Sequence, residues 1–217
     1  MIFQNRNDAA MKLAKKMSTH SFLDPVVLGI PRGGVVGAAI LAKELNADFD
    51  VVLSRKIGAP NQPEFAIGAI SETGQVYLNP SIEQSEMNLN EYLESEQKKQ
   101  LTEIERRKKL IRAILPQAAV AGRSVIVTDD GIATGSTIIA ALQCLRPRNP
   151  FKLIVAVPVA SPSRLAEVRR WCDETICLHS TEHLTSIGEF YIDFSPVEES
   201  QMLDIIREMV ANKVHSR

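Results

Sequence analysis

Five short apolar runs punctuate the 217-residue chain: PVVLGI (Pro25–Ile30), DVVLSRK (Asp50–Lys56), VIVT (Val125–Thr128), KLIVAVPVA (Lys152–Ala160) and ETICL (Glu174–Leu178). Most lack an apolar/polar alternation, which suits strands covered on both faces. Helical patterns fall between them, at Val35–Leu45, Leu89–Leu115, Ser136–Leu145 and Ser163–Cys172, with further helices at Asn7–Met17 and Glu198–Val210. Strands alternating with helices give βαβ units, because a parallel neighbour can be reached only by a long crossover. The expected fold is therefore α/β: a mostly parallel twisted sheet flanked by helices, built as one domain over residues 1–217.

Two segments break this rhythm. GAPNQPE (Gly58–Glu64) is rich in Pro and Gly and reads as a mobile loop, while AIGAISETGQVYL reads as a hairpin turning at Glu72-Thr73-Gly74. Together they form a flexible loop and hairpin over about 55–79. The charged helix over 89–115 keeps an apolar stripe of Leu93, Leu101, Ile104, Ile111 and Leu115, with the pairs Glu103–Arg107 and Glu96–Gln100 expected on its outer face.

The formal net charge is −1, so no global field recruits nucleic acid or an anionic membrane, and any anion site must be local. The three cysteines, Cys144, Cys172 and Cys177, are odd in number and lack metal-ligand spacing, which favours a reducing compartment. There is no signal-peptide pattern and no apolar run near the roughly 20 residues of a membrane span. A cytoplasmic protein with small-molecule partners is expected, without nucleic-acid or membrane binding.

The richest stretch is VIVTDDGIATGST, residues 125–137. Asp129 and Asp130 end a strand, where ligands sit in open parallel sheets. The loop Ala133-Thr134-Gly135-Ser136-Thr137 then enters a helix, so unpaired N–H groups, the helix dipole and three hydroxyls converge on a place suited to a phosphate. The carboxylates would repel that phosphate and suit hydroxyl donors or a divalent cation instead. The plainer alternative is a capped loop with two solvated acids. In GIPRGGVVG, Arg32 with Gly33 and Gly34 exposes N–H donors beside a guanidinium, as a diphosphate requires; the alternative is an ordinary turn. Arg55 and Lys56 stand where a strand leads into the Pro- and Gly-rich loop, with Glu64 further along it. His179 and His183 lack a third ligand for a metal. Trp171 and Cys172 read as core on an amphipathic helix.

VIVTDDGIATGST closely resembles the phosphoribosyl diphosphate (PRPP) signature of the type I phosphoribosyltransferases. The resemblance implies that Asp129 and Asp130 hold the ribose 2- and 3-hydroxyls, and that the loop from Ala133 through Thr134, Gly135, Ser136 and Thr137 holds the 5-phosphate. It likewise makes the PRGG turn a pyrophosphate loop, with Arg32 and Gly33 in it and a strained or cis peptide. SRKIGAPNQPE is similar to a segment of adenine phosphoribosyltransferases, which implies that Arg55 and Lys56 meet the diphosphate under a closing loop. The aromatic tail SIGEFYIDF would belong to a hood over about 178–197, where Phe190 and Tyr191 could stack on an acceptor ring. Gly131 replaces a usual aliphatic residue, and Ala133 an aspartate found in purine-salvage members.

The order of segments resembles a bacterial and archaeal group of phosphoribosyltransferases, a resemblance that covers nearly the whole chain. It implies a Mg²⁺-dependent pentosyltransferase of nucleotide metabolism, commonly a homodimer, that moves the phosphoribosyl group of PRPP to a nitrogen acceptor. Arg32, Arg55, Lys56, Asp129 and Asp130 would be its catalytic set. The alternative on the same fold is a non-catalytic sensor of PRPP or a nucleotide.

Overall fold

The computed structural model describes residues 1–60, 62–79 and 89–215. In chain order the helices are α1 (Arg6–Met17), α2 (Gly34–Glu44), α3 (Leu89–Arg112), α4 (Ser136–Leu145), α5 (Pro162–Val168) and α6 (Glu199–His215). The strands are β1 (Val26–Gly29), β2 (Asp48–Val51), β3 (Ser54–Ala59), β4 (Gln62–Ser71), β5 (Val76–Leu78), β6 (Ser124–Thr128), β7 (Lys152–Ala160) and β8 (Glu174–Ser180). A five-stranded sheet in the order β2-β1-β6-β7-β8 is parallel throughout, and β3-β4-β5 form a separate antiparallel sheet.

Alternate residues of the central strands explain why the runs are apolar without alternation. Val27, Ile126, Ile154 and Ala156 enter the core shared with α1, α2, α3 and α6, whereas Val26, Leu28, Val125, Val127, Leu153 and Val155 enter the core beneath α4 and α5. Each face buries its own half of the strand, so both halves are apolar. Helix α4 and strand β7 keep the boundaries read from the sequence.

Three expectations need correction. The run Asp50–Lys56 is two strands: β2 ends at Val51, and the chain crosses through Val52 and Leu53 into β3, which pairs antiparallel with β4. A continuous apolar run cannot reveal that its two halves take different partners. The loop expected over Gly58–Glu64 is the connection of that hairpin, since β3 runs to Ala59 and β4 starts at Gln62. The expected hairpin does turn where read, with Ser71 N donating to Gln75 O at 2.9 Å. Finally, α5 stops at Val168, leaving Trp171 beyond it and 37% exposed. Arg146 holds that departure by pairing with Asp173 at 3.0 Å and donating to Trp171 O at 3.3 Å, and Asp173 in turn accepts from Leu153 N at the start of β7.

Candidate functional site

The sheet order creates the crevice. From β1 the chain crosses to β2 on one side, while from β6 it crosses to β7 on the other, so the loops leaving β1 and β6 diverge. A ligand site outside the carboxyl ends of strands belongs at such a point. Ile30 N donates to Thr128 O at 3.1 Å, which fixes the two loops against each other as they leave the sheet.

Gly33 and Gly34 lie against the acid pair. A Cβ on Gly33 would come within 2.8 Å of Asp130 Cγ and closer still to its carboxylate oxygen, and one on Gly34 would come within 3.0 Å of Asp129 Oδ1. The PRGG turn and the two aspartates are thus one packed unit, and the Pro31–Arg32 peptide within it is cis. Gly131 has an equally physical reason: a Cβ there would meet Val159 O at 2.9 Å and Ile187 Cδ1 at 2.7 Å. Its role is close approach to β7 and the tail. Gly33→Ala should therefore weaken the hold of Asp130 on a hydroxyl-bearing ligand, with PRPP as the probe, about 10- to 100-fold, from the roughly 1–3 kcal/mol of overpacking that must displace Asp130. Titration calorimetry on the folded variant checks this, and unchanged affinity would show that the contact is idle.

The acids are less open than solvated caps would be. Asp130 keeps 17% of its side-chain exposure, and its carboxylate pairs with Arg6 Nε of α1 at 3.0 Å. Arg6 Nη1 also donates to Ser195 O at 2.8 Å, and its guanidinium lies 4.2 Å from the centre of the Phe194 ring. Asp129 Oδ1 accepts from Asp130 N at 2.9 Å. Burial, and then the adjacent Asp130 charge, push the Asp129 carboxyl well above the usual carboxylate range. Burial also raises Asp130, with Arg6 opposing it. Two neighbouring carboxylates kept at that cost are a feature of functional sites.

The loop from Ala133 to Thr137 leads directly into α4. Gly135 adopts φ 82°, a left-handed conformation natural to glycine, and α4 begins at the next residue. Thr134 Oγ1 accepts from Ser136 N at 3.4 Å, and Thr137 O accepts from Ser54 Oγ at 2.9 Å, tying the loop to β3. Ser136 is fully buried, and its Oγ has no partner among the described residues. A buried hydroxyl in a helix's first turn is a polar group that the surrounding contacts leave unsatisfied. Ala133 is exposed at the mouth.

The basic residues divide. Neighbours on a strand face opposite sides, so Arg55 turns toward α3 while Lys56 is exposed. Arg55 Nε donates to Gln100 Oε1 of α3, and its Nη1 lies 3.7 Å from Glu103. Glu103 also pairs with Arg107 at 2.9 Å, and Glu199 at the start of α6 pairs with Arg106 and Arg107. The face of α3 expected to be solvated thus holds Arg55 in place, with Gln100 buried. Burial depresses the Arg55 pKa and the nearby charge of Arg107 adds to that, with Glu103 opposing and Arg106 and Arg32 contributing less. Arg32 itself reaches Glu198 at 3.4 Å.

Tyr191 is buried rather than presented for stacking. Its hydroxyl donates to Asp130 O at 2.7 Å, and its ring packs on Phe3 and Phe194. Phe190 is half-buried against His179, ring centres 5.7 Å apart. His179 lies on β8 and His183 beyond it, and no cluster of three or more His, Cys, Asp or Glu side chains suited to a metal occurs among the described residues. The Glu64 side chain lies outside the described residues. Sequence reasoning missed Arg6 and Ser54, and placed Gln100, Glu103 and Arg107 on an outer face of α3 rather than against Arg55. The first is 124 positions from its partner, and no spacing rule reaches that far.

The family model of the phosphoribosyl transferase domain matches residues 1–195. The Mycobacterium tuberculosis H37Rv protein Rv0571c, provisionally named a phosphoribosyl transferase, is 35% identical over 202 residues, 93% of this chain and 46% of that protein. The chain thus spans about half the length of the curated relatives it matches. Among solved structures, TT1426 from Thermus thermophilus aligns with a TM-score of 0.80 at 38% identity, covering 96% of this chain and 99% of that one. AQ2163 from Aquifex aeolicus aligns at 0.50 and 12% identity, over 84% of this chain and 76% of that one, a likeness of fold alone.

Proposed function

The chain belongs to the phosphoribosyl transferase domain family, and on that premise we propose that it transfers the 5-phosphoribosyl group of PRPP to a nitrogen acceptor, releasing pyrophosphate. The observation that carries this reading is the single wall formed by Gly33 and Gly34 with Asp129 and Asp130, beside the α4 loop. A diphosphate-binding turn, a pair of hydroxyl acceptors and a phosphate cradle then lie in the order that PRPP presents them.

In the proposed reaction the lone pair of the nitrogen forms a bond to C1 of the ribose. The bond from C1 to the diphosphate oxygen breaks, its electrons leave with the diphosphate, and the nitrogen loses a proton. Asp129 and Asp130 orient the ribose, the first turn of α4 fixes the 5-phosphate, and Arg32 and Arg55 stabilise the charge gathering on the leaving group. Lys56, exposed on the same strand as Arg55, is the third basic candidate. Hard oxygen donors such as the two carboxylates fit Mg²⁺ held jointly with the substrate, directly or through water. When bound, that ion would neutralise the departing diphosphate.

The test is pyrophosphate release from PRPP and Mg²⁺ across a panel of nucleobases and amines. Turnover with one acceptor class supports the transferase reading. Ala133 offers no proton acceptor where a base might be sought, which favours a second reading, a non-catalytic sensor of PRPP. Tight PRPP binding with no release in any combination would favour the sensor, and no PRPP binding would exclude both.

A further inference from the structure

We propose that Arg6, on the first turn of α1, is a positioning residue for sugar recognition: it holds Asp130 in the orientation that lets the acid pair select a ribose bearing both hydroxyls. The inference rests on the PRPP reading above and assigns a role to a helix that none of the recognised motifs includes.

Arg6 is firmly anchored. Its guanidinium is committed in three directions, to Asp130 Oδ2 at 3.0 Å, to Ser195 O at 2.8 Å and to the Phe194 ring at 4.2 Å. Only 13% of the side chain is exposed. A planar guanidinium fixed by a carboxylate, a carbonyl and an aromatic face has little freedom left. Asp130 is confined in turn: Gly33 touches its carboxylate from one side, Arg6 grips Oδ2 from another, and Tyr191 takes its backbone carbonyl at 2.7 Å.

Arg6 thus engages Oδ2, and no hydrogen bond among the described residues engages Oδ1 of Asp130. Arg6 also sets one positive charge against Asp130, opposing the burial that raises this carboxyl, while its pull on the more distant Asp129 is weaker. Arg6, Phe194 and Ser195 thus brace the pair through a bridge between α1 and the segment that precedes α6. The bracing is further secured by a parallel pairing of Phe3 with Tyr191 and by Ile192 N donating to Phe3 O at 2.8 Å.

Contacts to ribose hydroxyls exist in both the bound ground state and the transition state, so their loss raises KM more than it lowers kcat. The experiment compares wild type with Arg6→Met and Arg6→Lys in the full chain. It measures affinities for PRPP, ribose 5-phosphate and 2-deoxyribose 5-phosphate by calorimetry in Mg²⁺, with thermal melting alongside. Arg6→Met should weaken PRPP at least 10-fold and erase most of the preference for ribose 5-phosphate over its 2-deoxy analogue, while Arg6→Lys restores much of it. A purely structural role would weaken both sugar phosphates equally and leave their ratio as in wild type, which overturns the proposal. Unchanged PRPP affinity in a folded Arg6→Met protein overturns it as well. Failure of wild type itself to bind PRPP would instead strike the reading on which the inference rests.

Discussion

Exchanging both acids at once, Asp129→Asn with Asp130→Asn, is expected to reduce PRPP affinity by 10²- to 10⁴-fold while the fold survives. Hydrogen bonds to charged groups contribute about 1.5–3 kcal/mol each, and two are lost together with the charge that makes the carboxylates strong acceptors. The stability change should differ between the two positions. Asp129 is buried beside a like charge that pushes its carboxyl upward, so Asp129→Asn removes a burden from the folded state and should leave the melting temperature unchanged or higher. Asp130→Asn instead deprives Arg6 of its carboxylate partner and should lower it. Calorimetric titration with PRPP, paired with thermal unfolding of each single variant, reads both effects. Affinity within 3-fold of wild type in the double variant would remove the acid pair from the site. A fall in stability for Asp129→Asn would show that its carboxylate is structural, held by contacts beyond the hydrogen bond from Asp130 N.

The sequence makes some of this legible because the relevant physics is local. The loop after β6 carries its own instructions: two acids at a strand end, a glycine where a left-handed turn is needed, and hydroxyls in a helix's first turn lie within nine residues, Asp129 to Thr137. Strands β6 and β7 are readable because burial on both faces leaves an unbroken apolar run. The division at Val52–Leu53 is not readable, since apolar character persists while the hydrogen-bonding partner changes from β1 to β4. Nor is the inward face of α3. Glu96, Gln100, Glu103 and Arg107 have the spacing of solvated helix pairs, and only the approach of Arg55 from β3 turns them into a support for the site. The same holds for Tyr191. An aromatic in a tail may serve a ligand or a core, and the decision depends on whether a polar partner such as Asp130 O waits at its tip.

The helix that supports Arg55 is itself fastened at one buried carboxylate, so a change far from the crevice should be felt there. Asp50 of β2 is 2% exposed and accepts from Val51 N at 2.7 Å, from Ala118 N at 2.8 Å and from Arg112, the last residue of α3, at 2.5 Å. Arg112 also donates to Leu115 O and Val51 O, both at 3.3 Å. Asp50→Ala leaves a partly buried guanidinium and two backbone N–H groups without their acceptor, and breaking a buried pair on one side costs about 3–5 kcal/mol. Denaturant unfolding should show a loss of that size. Arg112→Met should approach it by stranding Asp50, and the double variant should cost less than the sum, because the two changes remove one interaction. The functional consequence separates α3 from the acid pair. A loosened α3 releases Gln100 and Glu103 from Arg55, so pyrophosphate release should fall while affinity for ribose 5-phosphate, which depends on the β6 loop, stays near wild type. A variant destabilised by less than about 1 kcal/mol, far below the cost of breaking a buried pair, would show that Asp50 is accessible to water in solution. Equal losses in ribose 5-phosphate affinity and pyrophosphate release would show that α3 supports the whole crevice, and that Arg55 has no separate hold on the diphosphate.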